Sequence, residues 1–195
     1  LAAQVKARGG QALDPWDYKA EYNRRLMLEV EEKRRGILNG QVHPDRYLIG
    51  GAKEFLAALR ALGVALHVAS GTDHPDVVRE AELLGVAGLV DSIAGAPVGE
   101  ESCSKEQVLR RLAREKGLRG GEVCVIGDGK VEIALGAELG ARTIGLATDE
   151  EHWQGVNPHK RDKLIRAGAE AIAGDFLDLP AMMAWMNLGG EHSGL

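Results

Sequence analysis

The segment VCVIGDGKVEI, residues 123–133, leaves a chain few ways to fold around it. Four apolar residues run straight into Gly127-Asp128-Gly129, and a segment of helical character then carries Glu132. A run this short and apolar, stopped by glycine, is a buried strand that delivers Asp128 to its C-terminal tip. The glycines let backbone and ligand approach closely, and Glu132 falls in the first turn of the following helix. Two carboxylates four residues apart at a strand-to-helix turn form a seat for a hard cation such as Mg2+.

The rest of the chain repeats this rhythm. Asp14-Pro15 starts a helix to about residue 35, with Tyr18, Tyr22, Leu26 and Val30 on one face, and residues 39–46 are a connector. From residue 50 onward short apolar runs alternate with helical segments. A helix over 52–62 ends at Gly63, and VALHVA (64–69) is a strand that stops at Ser70-Gly71-Thr72. A helix over 75–84, a short strand at 90–94 and a polar loop at 97–103 follow. Ser104 opens a helix to about residue 116, EVCVI is the next strand, and a helix spans 130–139. ARTIGLA (141–147) is a strand, Asn157-Pro158 starts a helix to about Ala167, and 169–175 is the last strand. Strands alternating with helices specify an α/β parallel sheet, and ligands bind outside the C-terminal ends of its strands.

Three of those exits carry chemically pointed residues. Ser70 with Gly71 and Thr72 offers a hydroxyl and backbone N–H groups to an oxyanion, although such residues also cap helices without any ligand. Ser104 and Gln107 have capping-box spacing, which puts Lys105 at the first helical position. A cation there faces the positive end of the helix dipole, so Lys105 either stays in solvent or holds an anion. Asp128 and Glu132 complete the set, and their plain alternative is a cap and a first-turn acid. His67 in its apolar strand reads as a core histidine, Cys124 as a small buried thiol, and His159-Lys160-Arg161 as a solvated helix face.

The order VASGTD, SKEQVLRRL, VIGDGKVEI resembles the haloacid dehalogenase-like (HAD) superfamily, chiefly Mg2+-dependent phosphatases, over roughly residues 48–180. The resemblance implies a Rossmann-like three-layer parallel sheet with a small helical cap. It makes Ser70 the phosphoryl-binding hydroxyl of the second motif and Lys105 the charge-stabilising cation of the third. Asp128 becomes the acid of the fourth motif that helps hold Mg2+, and Glu132 stands where a second acid, more often Asp, is found. With the backbone of Gly71 and Thr72, Ser70 and Lys105 would bind phosphate.

The family's first motif is an apolar strand ending in D-x-D, whose first Asp attacks phosphorus. These 195 residues hold no such segment, since Asp14-Pro15-Trp16-Asp17 has the wrong spacing and no strand before it. Family order places the motif upstream of Leu1, and a first residue other than Met agrees with that. The missing strand belongs between those ending at Ser70 and Asp128, so the sheet should carry an unpaired ladder in its middle. The resulting organisation is an undefined segment at 1–13, a cap remnant at 14–45, in which Asn23, Arg24 and Arg25 could contact substrate, a core at 46–186 and a tail at 187–195.

The expected function is a Mg2+-dependent phosphatase of a small phosphorylated metabolite, incomplete and inactive in this chain. The alternative from another class is a non-catalytic HAD-like module that binds ligands or partners. A dinucleotide-binding domain fits less well, because Glu132 stands where that fingerprint needs its third glycine. A net charge of −5 argues against nucleic acid as a partner. Two cysteines form no disulfide framework, and no run is long enough to span a membrane, so the expected location is the cytoplasm.

Overall fold

A computed structural model describes residues 2–11, 14–98 and 104–188, so the polar loop around Cys103 and the end of the tail lie outside the described residues. The chain divides into two units, Leu1–Arg46 and Tyr47–Leu195. The first holds α1 (Ala2–Ala7), for which the sequence gave no pattern, and α2 (Pro15–Leu38). Helix α2 runs past Gly36, and Tyr22 and Leu26 of its expected apolar face are exposed. Arg24 and Arg25 both hydrogen-bond Glu21 and hold its carboxyl down at about 2.

The second unit alternates as expected. Its elements are α3 (Ala52–Ala61), β1 (His67–Asp73), α4 (His74–Leu83), β2 (Ser92–Ala96), α5 (Lys105–Lys116), β3 (Cys124–Gly127), α6 (Lys130–Glu138), β4 (Arg142–Leu146), α7 (Pro158–Arg166), β5 (Ala171–Ala173) and α8 (Leu179–Trp185). All strand pairs are parallel. Among the described residues the strands form two sheets, β1-β2 and β3-β4-β5, and β1 does not pair with β3. Burial follows from this. Strand β4, paired on both edges, is buried from Thr143 to Leu146, whereas β3, paired on one edge, is half-buried throughout.

Strand β1 corrects the sequence reading. It does not stop at Ser70 but continues to Asp73, with Ala69 opposite Ala94 and Asp73 opposite Ala96. Residues 70, 71 and 72 therefore face Gly95 alone, three residues against one, and the Ser70-Gly71-Thr72 segment is a bulge in the ladder. The main core joins Phe55 and Leu59 of α3 to Leu66, Ile144, Met182 and Met183, with Phe55 stacked on Phe176 at 4.7 Å. Helix α8, absent from the sequence reading, contributes the two methionines. His67 bonds Ser92 Oγ through Nδ1 at 2.8 Å, as a satisfied core histidine should.

Burial pushes the Cys124 thiol up to about 11, against a smaller opposing effect of Arg142. Iodoacetamide at pH 8 should therefore leave Cys124 unmodified in the folded protein and label it only after urea unfolding. Peptide mapping by mass spectrometry reads the difference, and rapid native labelling at Cys124 would contradict the assigned burial.

Candidate functional site

The capping box at the start of α5 forms as its spacing requires. Gln107 N–H donates to Ser104 Oγ at 3.3 Å, and Ser104 N–H to Gln107 Oε1 at 2.7 Å. Lys105 is thereby fixed as the first helical residue, and the β1 bulge lies against it. A Cβ added at Gly71 would sit 3.3 Å from Lys105 Cβ and 3.4 Å from its backbone nitrogen. Two of the three predicted strand exits thus meet. Ser70 is half-buried, and its Oγ accepts the Thr72 N–H at 3.1 Å.

The third exit joins through Glu132. Lys105 Nζ donates to Glu132 Oε1 at 2.8 Å, and the same oxygen accepts the Gly129 N–H at 2.9 Å. The glutamate is 4% exposed. Burial pushes its carboxyl up, but hydrogen bonds from Lys105 and from backbone N–H groups outweigh that and leave its pKa lowered. The anion that Lys105 holds is therefore a side chain of this chain. The glycines of GDG also have a use the sequence did not reveal. A Cβ at Gly127 would collide with Glu132 Cγ, and one at Gly129 would lie 2.8 Å from Glu132 Oε2. Their missing side chains make room for Glu132.

Asp128 is differently placed. Its carboxylate is 57% exposed, and its neighbour is Lys160, whose Nζ lies 3.9 Å from Oδ2. Lys160 is bound to Glu150 Oε1 at 2.6 Å and is only 23% exposed. Sequence reasoning had set it on a solvated helix face, which the structure corrects. Lys160 is the third residue of α7, whose N-cap Asn157 accepts the His159 and Lys160 N–H groups through Oδ1. A capped helix with lysine in its first turn, soon after a strand exit, is the signal that had already singled out Lys105.

The predicted two-carboxylate seat is thus divided. Glu132 Oε1 is committed to Lys105 and Gly129, while Asp128 presents open carboxylate oxygen suited to a hard cation. Among the described residues, one group of three with metal-ligand spacing is Asp149, Glu151 and His152, in the turn after β4. Asp149 closes that turn by accepting the Glu151 N–H at 2.9 Å.

A family model described as a haloacid dehalogenase-like hydrolase matches residues 7–140. No curated protein matches the chain. Among solved structures, a predicted phosphoglycolate phosphatase from Haemophilus somnus 129PT is similar at 18% identity and a TM-score of 0.60, covering 92% of this chain and 72% of that one. A predicted phosphatase from Clostridium acetobutylicum shares 20% identity at a TM-score of 0.59, covering 70% of this chain and 59% of that one. A HAD family hydrolase from Deinococcus radiodurans R1, solved with bound phosphate and sodium, shares 24% identity at a TM-score of 0.55, with 72% and 60% covered. These likenesses show the parallel α/β fold. The match spans about three fifths of the length of the Clostridium and Deinococcus proteins. Among the described residues no helix is long and apolar enough to cross a membrane.

Proposed function

We propose that this chain, which belongs to the haloacid dehalogenase-like hydrolase family, carries the phosphoryl- and cation-binding side of a phosphatase for small phosphorylated metabolites. The observation that carries this reading is the Lys105 ammonium, fixed 2.8 Å from buried Glu132 where the β1 bulge meets the start of α5. Held there, Lys105 faces a phosphoryl oxygen without first giving up side-chain freedom. Ser70 already accepts a backbone N–H, so its hydroxyl hydrogen is left to donate to the same phosphoryl group. Asp128 would supply a carboxylate oxygen to Mg2+, whose chemistry is to offset charge on the phosphoryl oxygens. Glu132 would act through Lys105, not through the metal. The helices of the first unit, by the same reading, are a cap remnant that favours one substrate over another.

An aspartate nucleophile would enter on a strand between β1 and β3, whose facing edges are unpaired with each other. The chain by itself is therefore expected to bind inorganic phosphate weakly and to hydrolyse para-nitrophenyl phosphate at no rate above background. Phosphate binding followed by 31P NMR line broadening should disappear in Lys105→Ala. Steady release of para-nitrophenolate by this chain would contradict the assignment of the nucleophile to another segment. The unpaired edges also favour a second reading, a HAD-like module that binds a partner and has no catalysis. It prevails if the chain extended upstream carries no D-x-D and hydrolyses no phosphomonoester.

A further inference from the structure

Lys105 is not the only lysine in the first turn of a helix that reaches for a carboxylate beyond β3. Lys160 repeats the arrangement from the other side, in the first turn of α7. Each of the two acids after β3 has its own cation, Lys105 on Glu132 at 2.8 Å and Lys160 near Asp128 at 3.9 Å. The two pairs differ in closeness. Lys105 touches its partner, whereas Lys160 stops short of Asp128 because Glu150 holds its ammonium at 2.6 Å. Lysine is disfavoured in a first helical turn, where the dipole is positive, and carboxylates on both sides of Lys160 offset that cost. The ammonium lies where positive charge is favoured at Asp128, and so does any cation that would bind there.

We propose that Lys160 is a positioning residue that sets cation affinity at Asp128, with Glu150 acting as the tether that keeps its ammonium partly withdrawn. This rests on the reading of Asp128 as a cation contact. With the tether in place, Asp128 is neutralised when no cation is bound yet keeps an oxygen accessible. A divalent cation arriving there meets a like charge within a few ångströms and must drive Lys160 fully onto Glu150.

Removing the ammonium should tighten cation binding, and removing the tether should weaken it by letting Lys160 close on Asp128. Titration with Mn2+ alone, followed by electron paramagnetic resonance of the free ion, measures this on the intact chain. At 0.1 M salt Lys160→Gln is expected to tighten Mn2+ binding roughly 3- to 10-fold, because a unit charge at this range acts directly on the ion. Glu150→Gln should weaken it, Lys160→Arg should hold it near the starting value, and Asp128→Asn should abolish it. Opposite signs from Lys160→Gln and Glu150→Gln are not produced by a merely structural ion pair, whose loss would move both the same way. Unchanged or weaker binding in Lys160→Gln, with Asp128→Asn still abolishing it, would overturn the role of Lys160 and leave the cation contact standing. Binding that survives Asp128→Asn would instead overturn the cation reading, and the inference with it. Unchanged binding in Glu150→Gln would remove the tether from the proposal.

Discussion

Lys105→Met is expected to destabilise the fold by about 2–3 kcal/mol at neutral pH, and adding Glu132→Gln should recover most of that loss. Glu132 is buried and Lys105 is 36% exposed on its side chain, so the pair lies between the surface and interior cases. What makes it costly to break is the asymmetry of the partners. Lys105 can turn to solvent, but Glu132 is enclosed by the Gly127–Gly129 turn and would keep only a hydrogen bond from the Gly129 N–H, at 2.9 Å. The pH dependence follows from the lowered carboxyl. With its folded-state pKa below the unfolded one, Glu132 contributes fully above the ordinary carboxylate range, and the contribution is lost as acid protonates it. In Lys105→Met burial is no longer outweighed, Glu132 takes up a proton more readily, and the penalty shrinks as the pH falls. Urea unfolding at several pH values measures both effects. A penalty equal at acid and alkaline pH, or a double variant no more stable than the single one, would defeat this account of the pair.

The parts of the site that could be read in the sequence are those whose cause is local. Lys105 heads α5 because Ser104 and Gln107 sit at capping distance along the chain, and Asp128 follows an apolar strand because four consecutive residues specify it. The split sheet was legible for a related reason, since a missing strand can be recognised by the order of those that remain. The partnerships were not legible. Lys105 and Glu132 are 27 residues apart, and nothing in either segment states that the lysine's anion is the glutamate. Lys160 was assigned to solvent because a cluster of basic residues on a short helix usually is solvated, and Glu150 and Asp128 overrode that rule. The glycines of GDG admit close approach, as their lack of Cβ implies, but what approaches is Glu132. The bulge was hidden for another reason: it is a property of register between β1 and β2, and one strand alone does not contain it.

That register gives the second large effect, and it falls on a residue with no obvious chemistry. Gly95→Ala is expected to cost about 2–4 kcal/mol and to loosen the Ser70–Thr72 bulge. Gly95 alone faces the three bulged residues, so the chain of β1 folds back over it. A Cβ there would lie 2.5 Å from His74 Cα and 2.8 Å from both His74 N and Thr72 O. These are backbone atoms, which a rotamer change cannot move. Relief requires shifting the start of α4 or opening the ladder beyond Ala69 and Ala94, and the pairing at risk is the isolated one between Asp73 and Ala96. Gly88→Ala is the control, because nothing lies within 4 Å of the Cβ it would add, so its effect should stay within about 0.5 kcal/mol. Thermal unfolding compares the two, and amide exchange at Thr72 and Asp73 reports whether the bulge itself has opened. If Gly95→Ala melts with Gly88→Ala, the bulge tolerates a side chain beneath it. The place of Ser70 beside Lys105 would then depend on α5 alone. If it melts well below, with faster exchange at Thr72, then one hydrogen atom where a methyl would be holds the hydroxyl of Ser70 in the site.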